Sequence, residues 1–335
     1  MNAPRTALVT GASGYVGGLL VPRLLESGYA VRVLTRSGHL DAPWVGKVEV
    51  CQGDAGDPAQ LRTALRQVDV AYYLIHSMDG DGDFVRRDRD LAERFGRVAH
   101  EESVGRIVYL SGLHPDGELS THLASRVEVG ERLIASGVPT AVLQAATVIG
   151  RGSASFEMLR YLTSRLPVMV APQWLDNRIQ PIGIDDVLHW LVSAAGLPPE
   201  VSRTFDIGGP DVLTYRAMMQ QFAQETGQRP RLILTLPVLT PSLASHWVGL
   251  VTPVAAAVAK PLVGSLVHEV VCREDDLRSM VGAPPGGVTT YREAVRRAMD
   301  GIEPDPKHAV VVAAAIAGVA AAFAAGLVAR ATRRL

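Results

Sequence analysis

The chain has 335 residues, 47% hydrophobic, 20% charged and 5% aromatic, with 32 glycines and 21 prolines. That composition excludes a disordered chain, a collagen-like chain and a small disulfide-stapled domain. Lys+Arg number 33 against 34 Asp+Glu, so no overall basic field points to nucleic acid as a partner.

The first 150 residues alternate strand and helix patterns. Ala7 to Thr10 predicts a short apolar strand. Tyr15 to Ser27 predicts a helix with Val16, Leu19, Leu20, Leu24 and Leu25 on its apolar face. Strands follow at Val31 to Leu34 and Val48 to Cys51. Asp57-Pro58 opens a helix to about Arg66, as cap and first-turn proline. Val70 to Ile75 is a fourth strand and Phe84 to Ser103 a long charged helix. Between them Asp79, Asp81 and Asp83 alternate with glycine like a calcium loop. Asp90 stands where such a loop needs a bidentate glutamate, so the run reads as a flexible acidic loop and no metal is predicted. Ile107 to Leu110 is a fifth strand, Ser120 to Ser136 a helix and Ala141 to Gln144 a sixth strand. The alternation predicts an α/β fold, a doubly wound parallel sheet with right-handed crossovers.

The second half is less regular. Phe156 to Leu166 reads as a helix stopped by Pro167. Asp185-Asp186 starts another, to Ala195. Thr204 to Ile207 is a strand ending at Gly208-Gly209-Pro210. Thr214 caps a helix to about Thr226, and Leu232 to Leu236 is a strand. The stretch 237–271 is apolar but interrupted by Pro241, Pro253 and Pro261, and predicts short helices over a pocket. Thr290 and Glu293 form a capping box for the last globular helix. Cys51 and Cys272 make neither a disulfide framework nor a zinc set and fit a reducing compartment; Cys51 reads as a small buried residue of its strand.

Thr10-Gly11-Ala12-Ser13-Gly14-Tyr15-Val16-Gly17 lies directly after a strand and opens a helix, the setting a dinucleotide fingerprint needs. Gly11 permits the tight turn, Gly14 lets the backbone approach a pyrophosphate, and Gly17 lets the helix pack on the strand. The helix N-terminus offers free N–H groups to phosphate. Thr10, Gly11, Ser13, Gly14, Tyr15, Val16 and Gly17 are the candidate cofactor-binding residues here. The second strand ends in Thr35-Arg36-Ser37, where an acid would hold the ribose 2′-hydroxyl of NAD. Arg36 suits a 2′-phosphate, so NADP(H) is favoured over NAD(H). Asp54, followed by Ala55 at the end of the third strand, is placed to meet adenine; a capping role is the alternative. Residues 1–150 thus read as a Rossmann domain whose core extends into 151–210, and 151–306 as a smaller substrate region.

Residues 307–335 read as a membrane-anchoring helix. Ala309 to Ala329 is 21 uncharged residues, which at about 1.5 Å each would cross a ~30 Å hydrocarbon core. Eleven are alanine, which weakens the drive to insert; a buried or partner-facing helix is the alternative. Arg330, Arg333 and Arg334 would lie in the cytosol by the positive-inside rule, which places the body outside. The nicotinamide cofactor, and the lack of an apolar signal before the first strand, favour a tail-anchored body on the cytoplasmic side, with a soluble cytoplasmic protein as the alternative.

Further residues carry a family resemblance. The glycine loop, Gly53-Asp54, Ala71-Tyr72-Tyr73-Leu74-Ile75-His76-Ser77-Met78, Arg106 to Leu113, Gly152 to Glu157, Phe205 to Pro210 and Trp247 to Pro253 resemble the atypical short-chain dehydrogenase/reductase superfamily. Within it the chain is similar to NAD(P)H-binding proteins related to the 39-kDa accessory subunit of respiratory complex I. The resemblance covers about residues 5–300. It implies that Leu74, Ile75 and His76 border the cofactor and that Ser111 lies near the nicotinamide. It also implies a Tyr-x-x-x-Lys pair after the fifth strand, where this chain has His122 and Arg126. Histidine can pass a proton near neutral pH, whereas arginine stays charged. Ser111, His122 and Arg126 are therefore the candidate catalytic residues. Two functions follow: an NADPH-dependent reductase of a small apolar compound such as a quinone or lipid, or a non-catalytic NADPH-binding structural or sensing protein docked on a membrane complex.

Overall fold

Strands buried on both faces send alternate side chains into two different cores, and the central strands here do so. The computed structural model describes residues 3–38, 40–75, 84–115, 117, 119–236, 252–254, 258, 262–264 and 267–302. Its first half runs β1 (Thr6–Thr10), α1 (Tyr15–Glu26), β2 (Ala30–Thr35), β3 (Glu49–Gln52), α2 (Pro58–Leu65), β4 (Val70–Tyr73), α3 (Phe84–Glu101), β5 (Arg106–Gly112), α4 (Thr121–Ile134) and β6 (Thr140–Ala145). The second half adds β7 (Val148–Ile149), α5 (Ala154–Arg165), β8 (Val168–Pro172), β9 (Arg178–Ile179), β10 (Ile182–Gly183), α6 (Ile184–Ala194), β11 (Arg203–Ile207), β12 (Leu213–Thr214), α7 (Tyr215–Glu225), β13 (Leu232–Leu236), α8 (Asp276–Val281) and α9 (Tyr291–Met299).

Seven parallel strands form the sheet in the order β3-β2-β1-β4-β5-β6-β11. The chain reverses direction across the sheet between β1 and β4, which places a crevice at the carboxyl ends of these strands. Ala7, Val9, Val70, Tyr72, Val108 and Leu143 face α1 and α6. Leu8, Ala71, Tyr73, Ile107, Tyr109 and Val142 face α2, α3 and α4. Tyr73 meets Phe95 edge-on at 5.0 Å and Tyr109 at 5.8 Å, so the tyrosines of β4 and β5 act as core residues. A further core joins α5, α7 and α9 through Phe156, Tyr215, Phe222 and Val295.

Two buried charges join the halves. Arg106 donates to the carbonyls of Leu197, Pro198 and Val201 at 3.0, 2.7 and 2.9 Å, tying β5 to the loop after α6. Asp186, in the first turn of α6, accepts from the Thr289 amide at 2.9 Å and hydroxyl at 3.1 Å. Burial raises its carboxyl above the usual range, and the Thr289 bonds oppose that rise.

The structure adjusts several boundaries. The fourth strand ends at Tyr73, not Ile75, because the Leu74 amide leaves the ladder to reach the Thr10 hydroxyl at 3.3 Å. Cys51 is half-buried rather than buried, because β3 is the edge of the sheet. The short strands β7, β9, β10 and β12 have two residues each, too few to show a period. The acidic run 79–83 and the tail 303–335 lie outside the described residues. Among the described residues no helix is long and apolar enough to cross a membrane.

Asp186→Ala leaves the Thr289 amide and hydroxyl buried without their acceptor. Urea unfolding should show a loss of about 2–3 kcal/mol.

Candidate functional site

Three backbone segments meet where β1 turns into α1. Gly11 has φ +74°, and a Cβ there would lie 2.5 Å from the Leu74 carbonyl oxygen. A Cβ on Gly17 would lie 2.3 Å from the Gly11 oxygen. The Gly14 amide donates to that same oxygen at 2.9 Å, closing the turn. Only glycine fits at 11 and 17 without moving main chain.

The first turn of α1 is the chemically open end of this arrangement. Gly14 caps it without a side chain, and no acid lies in the first turn. By contrast α2, α4, α7 and α9 are capped by the side chains of Asp57, Ser120, Thr214 and Thr290. The N–H groups and positive dipole end of α1 are thus left for an anion. They open on a cleft of about 990 Å³ that runs over the carboxyl ends of the sheet strands. Its size and main-chain donors fit a dinucleotide with its pyrophosphate at α1.

The cleft gathers every described candidate except Thr10. Gly11, Ser13, Gly14, Tyr15, Val16 and Gly17 line it at α1, Arg36, Asp54 and Ala55 at one end, and Leu74 and Ile75 along the middle. Thr10 is fully buried, and its hydroxyl donates to the Tyr72 carbonyl at 2.9 Å. It clamps β1 to β4 and meets the cleft only through the backbone it fixes. His76 lies outside the described residues. Arg36 is exposed, and its carbonyl accepts from Gln52 Nε2 at 3.5 Å, while Thr35 Oγ1 donates to the Ser37 carbonyl at 3.1 Å. Asp54 is not the cap of α2; Asp57 is. Asp54 Oδ1 instead accepts from the Gly56 amide at 2.7 Å, which shapes the turn under the cleft.

Ser111, His122 and Arg126 share the same cleft, at the junction of β5 and α4. Ser111 is 2% exposed, and its hydroxyl donates to the Arg126 carbonyl at 3.3 Å. It therefore offers lone pairs to the cleft rather than a proton. The Arg126 guanidinium donates to the Leu110 carbonyl at 2.5 Å and lies 5.9 Å from the Tyr109 ring centre. Burial, and then the nearby Arg126 charge, push the His122 imidazole down to about 4. His122 is neutral at physiological pH, so it is a hydrogen-bonding group and a poor acid.

Motif reading missed the far wall of the cleft. Met158, Tyr215, Val258, Leu262 and Val270 line it, drawn from separate segments of the second half. They carry no shared spacing; the sole hint is the apolar run 237–271, most of which lies outside the described residues. Tyr15 belongs to the loop by position, yet its side chain has a structural part. The hydroxyl is buried with no hydrogen-bond partner in the space left by Gly150, where a Cβ would lie 2.3 Å away. Burial, Asp185 and Glu157 all raise its pKa.

Residues 11–149 match a family model described as NAD(P)H-binding. The chain is 28% identical over 238 residues to a ceramide reductase of Caulobacter vibrioides, covering 69% of this chain and 74% of the relative. It is 25% identical over 236 residues to the mitochondrial NADH-ubiquinone oxidoreductase 40 kDa subunit of Neurospora crassa, covering 68% of this chain and 61% of that subunit. The triphenylmethane reductase of Citrobacter sp., solved with NADP(H), shares the fold with a TM-score of 0.69 at 17% identity, covering 87% of this chain and 99% of that one.

Gly17→Ala should weaken nicotinamide nucleotide binding by about 100-fold or more in calorimetry with circular dichroism unchanged, because the helix must retreat from the loop. The His122 ring signal should stay flat in NMR titration from pH 8 to 5.5 and move only near pH 4; Arg126→Met should shift that titration upward. The unfolded chain takes up this proton near 6.5 and the folded one near 4, so His122 makes the fold lose stability as the pH falls between them.

Proposed function

We propose that this chain, whose residues 11–149 match the NAD(P)H-binding family model, is a member of the atypical short-chain dehydrogenase/reductase superfamily and an NADPH-dependent reductase of a small, largely apolar compound of the quinone or lipid kind. One observation carries the reading: a single cleft runs from the uncapped α1 N-terminus and Arg36 to a wall of Met158, Leu262 and Val270. The polar end suits a dinucleotide, and the apolar end suits a substrate with little polar surface.

The bound cofactor would supply a hydride. The main chain at Gly11, Gly14 and Gly17 holds the pyrophosphate. Arg36 binds the 2′-phosphate through paired N–H donors, which selects NADP(H) over NAD(H). Asp54 and Ala55 border the adenine end, and Leu74 and Ile75 flank the middle of the cofactor. Ser111 accepts a hydrogen bond, His122 orients the substrate oxygen as a neutral imidazole, and the proton for that oxygen comes from solvent. The membrane part of the proposal is an anchor at 309–329 that keeps the body at the cytoplasmic surface, beside an apolar substrate.

A second reading is favoured by a specific arrangement. Ser111 donates to the Arg126 backbone, Arg126 donates to the Leu110 backbone, and His122 is neutral. A site so occupied with its own main chain suits a protein that holds NADPH without turnover, docked on a membrane complex. The similarity to a subunit of a respiratory enzyme belongs to this reading.

Purified full-length protein with NADPH and a panel of quinones, enones and long-chain carbonyl compounds separates the two. Absorbance loss at the nicotinamide band that depends on Ser111 and His122 supports the reductase; tight binding with no oxidation across the panel supports the second reading. Arg36→Ala should raise the Kd for NADPH by about tenfold or more and leave that for NADH nearly unchanged, by calorimetry. Equal effects on both nucleotides would remove the NADP preference.

A further inference from the structure

The ribbon of β8 and β13 has two unlike faces. The strands are parallel, with Val168 opposite Leu232 and Met169 opposite Ile233. Ala171 and Ile233 enter the core that also holds Phe156, Met158, Tyr215 and Val270. On the other face Val168, Leu232 and Leu234 are 36%, 55% and 51% exposed. Side by side on one face, these three aliphatic side chains form a contiguous apolar patch of the kind that marks a contact surface.

The entry end of the ribbon is cationic. Ser164-Arg165-Leu166-Pro167 and Gln228-Arg229-Pro230-Arg231 lead into the two strands with three arginines and no acid. The segments are joined there, since the Leu232 amide donates to the Pro167 carbonyl at 2.9 Å and Gln228 Nε2 to Ser164 Oγ at 3.3 Å. Arg229 is exposed, Arg165 lies over the Tyr161 ring at 4.5 Å and Arg231 donates to Gln228 Oε1, so the aliphatic face has a cationic margin at this end. Such a margin complements a surface whose edge is phosphate and whose interior is hydrocarbon. A protein groove would instead ask for hydrogen-bonding groups among the apolar ones. The ribbon's inner face belongs to the same core as Met158, Tyr215 and Val270, which line the cleft.

We infer that the outer face of the β8–β13 ribbon rests on an anionic lipid surface, with Val168, Leu232 and Leu234 at acyl-chain level and Arg165, Arg229 and Arg231 at the phosphates. This rests on the reading of an apolar, membrane-borne substrate, and it uses a surface separate from the cofactor cleft. The inner face of the ribbon shares a core with Met158, Tyr215 and Val270 of the apolar wall, so a bilayer under the outer face lies on the substrate side of the molecule.

The test places a reporter at the face of the full chain. Leu234→Trp is mixed with vesicles of phosphatidylglycerol and phosphatidylcholine whose acyl chains carry bromine, and its emission is read as the difference from the unsubstituted chain. The expected result is quenching of the added tryptophan. Quenching should be lost on pure phosphatidylcholine and in a variant that adds Arg165→Ser, Arg229→Ser and Arg231→Ser. Vesicle flotation without quenching at position 234 overturns the inference, because attachment then comes from another part of the chain. A dimer in which the added tryptophan is shielded without lipid overturns it in favour of a second copy. Equal quenching on uncharged lipid overturns the anionic assignment. NADPH titration of the same variant reads the cofactor site separately: with affinity unchanged the cleft is intact, and the lipid result then bears on the ribbon alone.

Discussion

The structure depends on how closely two stretches of main chain approach a third. At Gly11 the backbone passes beneath the Leu74 carbonyl, and at Gly17 the first helix presses on Gly11 itself. Neither approach leaves room for a methyl group. Thr10 completes the clamp, donating to the Tyr72 carbonyl and accepting from the Leu74 amide. These contacts fix α1 against β1 and β4 at the point where the chain reverses across the sheet. They aim the free N–H groups of one helix into the crevice and thereby decide where a pyrophosphate can lie.

The chemistry beside that anchor is shaped by competition for hydrogen-bonding groups. In a half-buried site each donor is costly to leave unmet, so Ser111 and Arg126 bond to main chain within the β5–α4 junction. Burial first, and then the cation that holds the junction, keep a proton off His122. A Tyr/Lys pair uses the cation to lower the pKa of its acid. With His/Arg, burial and the same field together keep the imidazole neutral, so the spacing is retained while a proton to donate at neutral pH is not.

The second half contributes an apolar wall and little polar chemistry to the cleft. Its order comes from specific ties across the chain rather than from long elements. Gln180 donates to the Gly209 carbonyl and accepts from the Cys272 amide, joining three loops at one side chain. Asp186 holds the segment before α9 in the same way. The wall residues lie on α5, on α7 and in loops outside the parallel sheet, so they can vary without disturbing it.

Local pattern determined the alternation of strand and helix through Gln144, the glycine loop with its uncapped helix, the caps at Asp57, Thr214 and Thr290, and the arginine after the second strand. Each depends on neighbours within a few residues, so periodicity and turn chemistry expose it. Tertiary structure alone decided that Thr10 faces inward, that β11 takes the sheet edge beside β6, and that Met158, Tyr215 and Val270 share one wall. It also decided the state of His122, because burial and the Arg126 field arise from packing across the β5–α4 junction. Contacts between residues far apart in sequence leave no period to read, and a pKa belongs to the surroundings of a side chain rather than to its spacing.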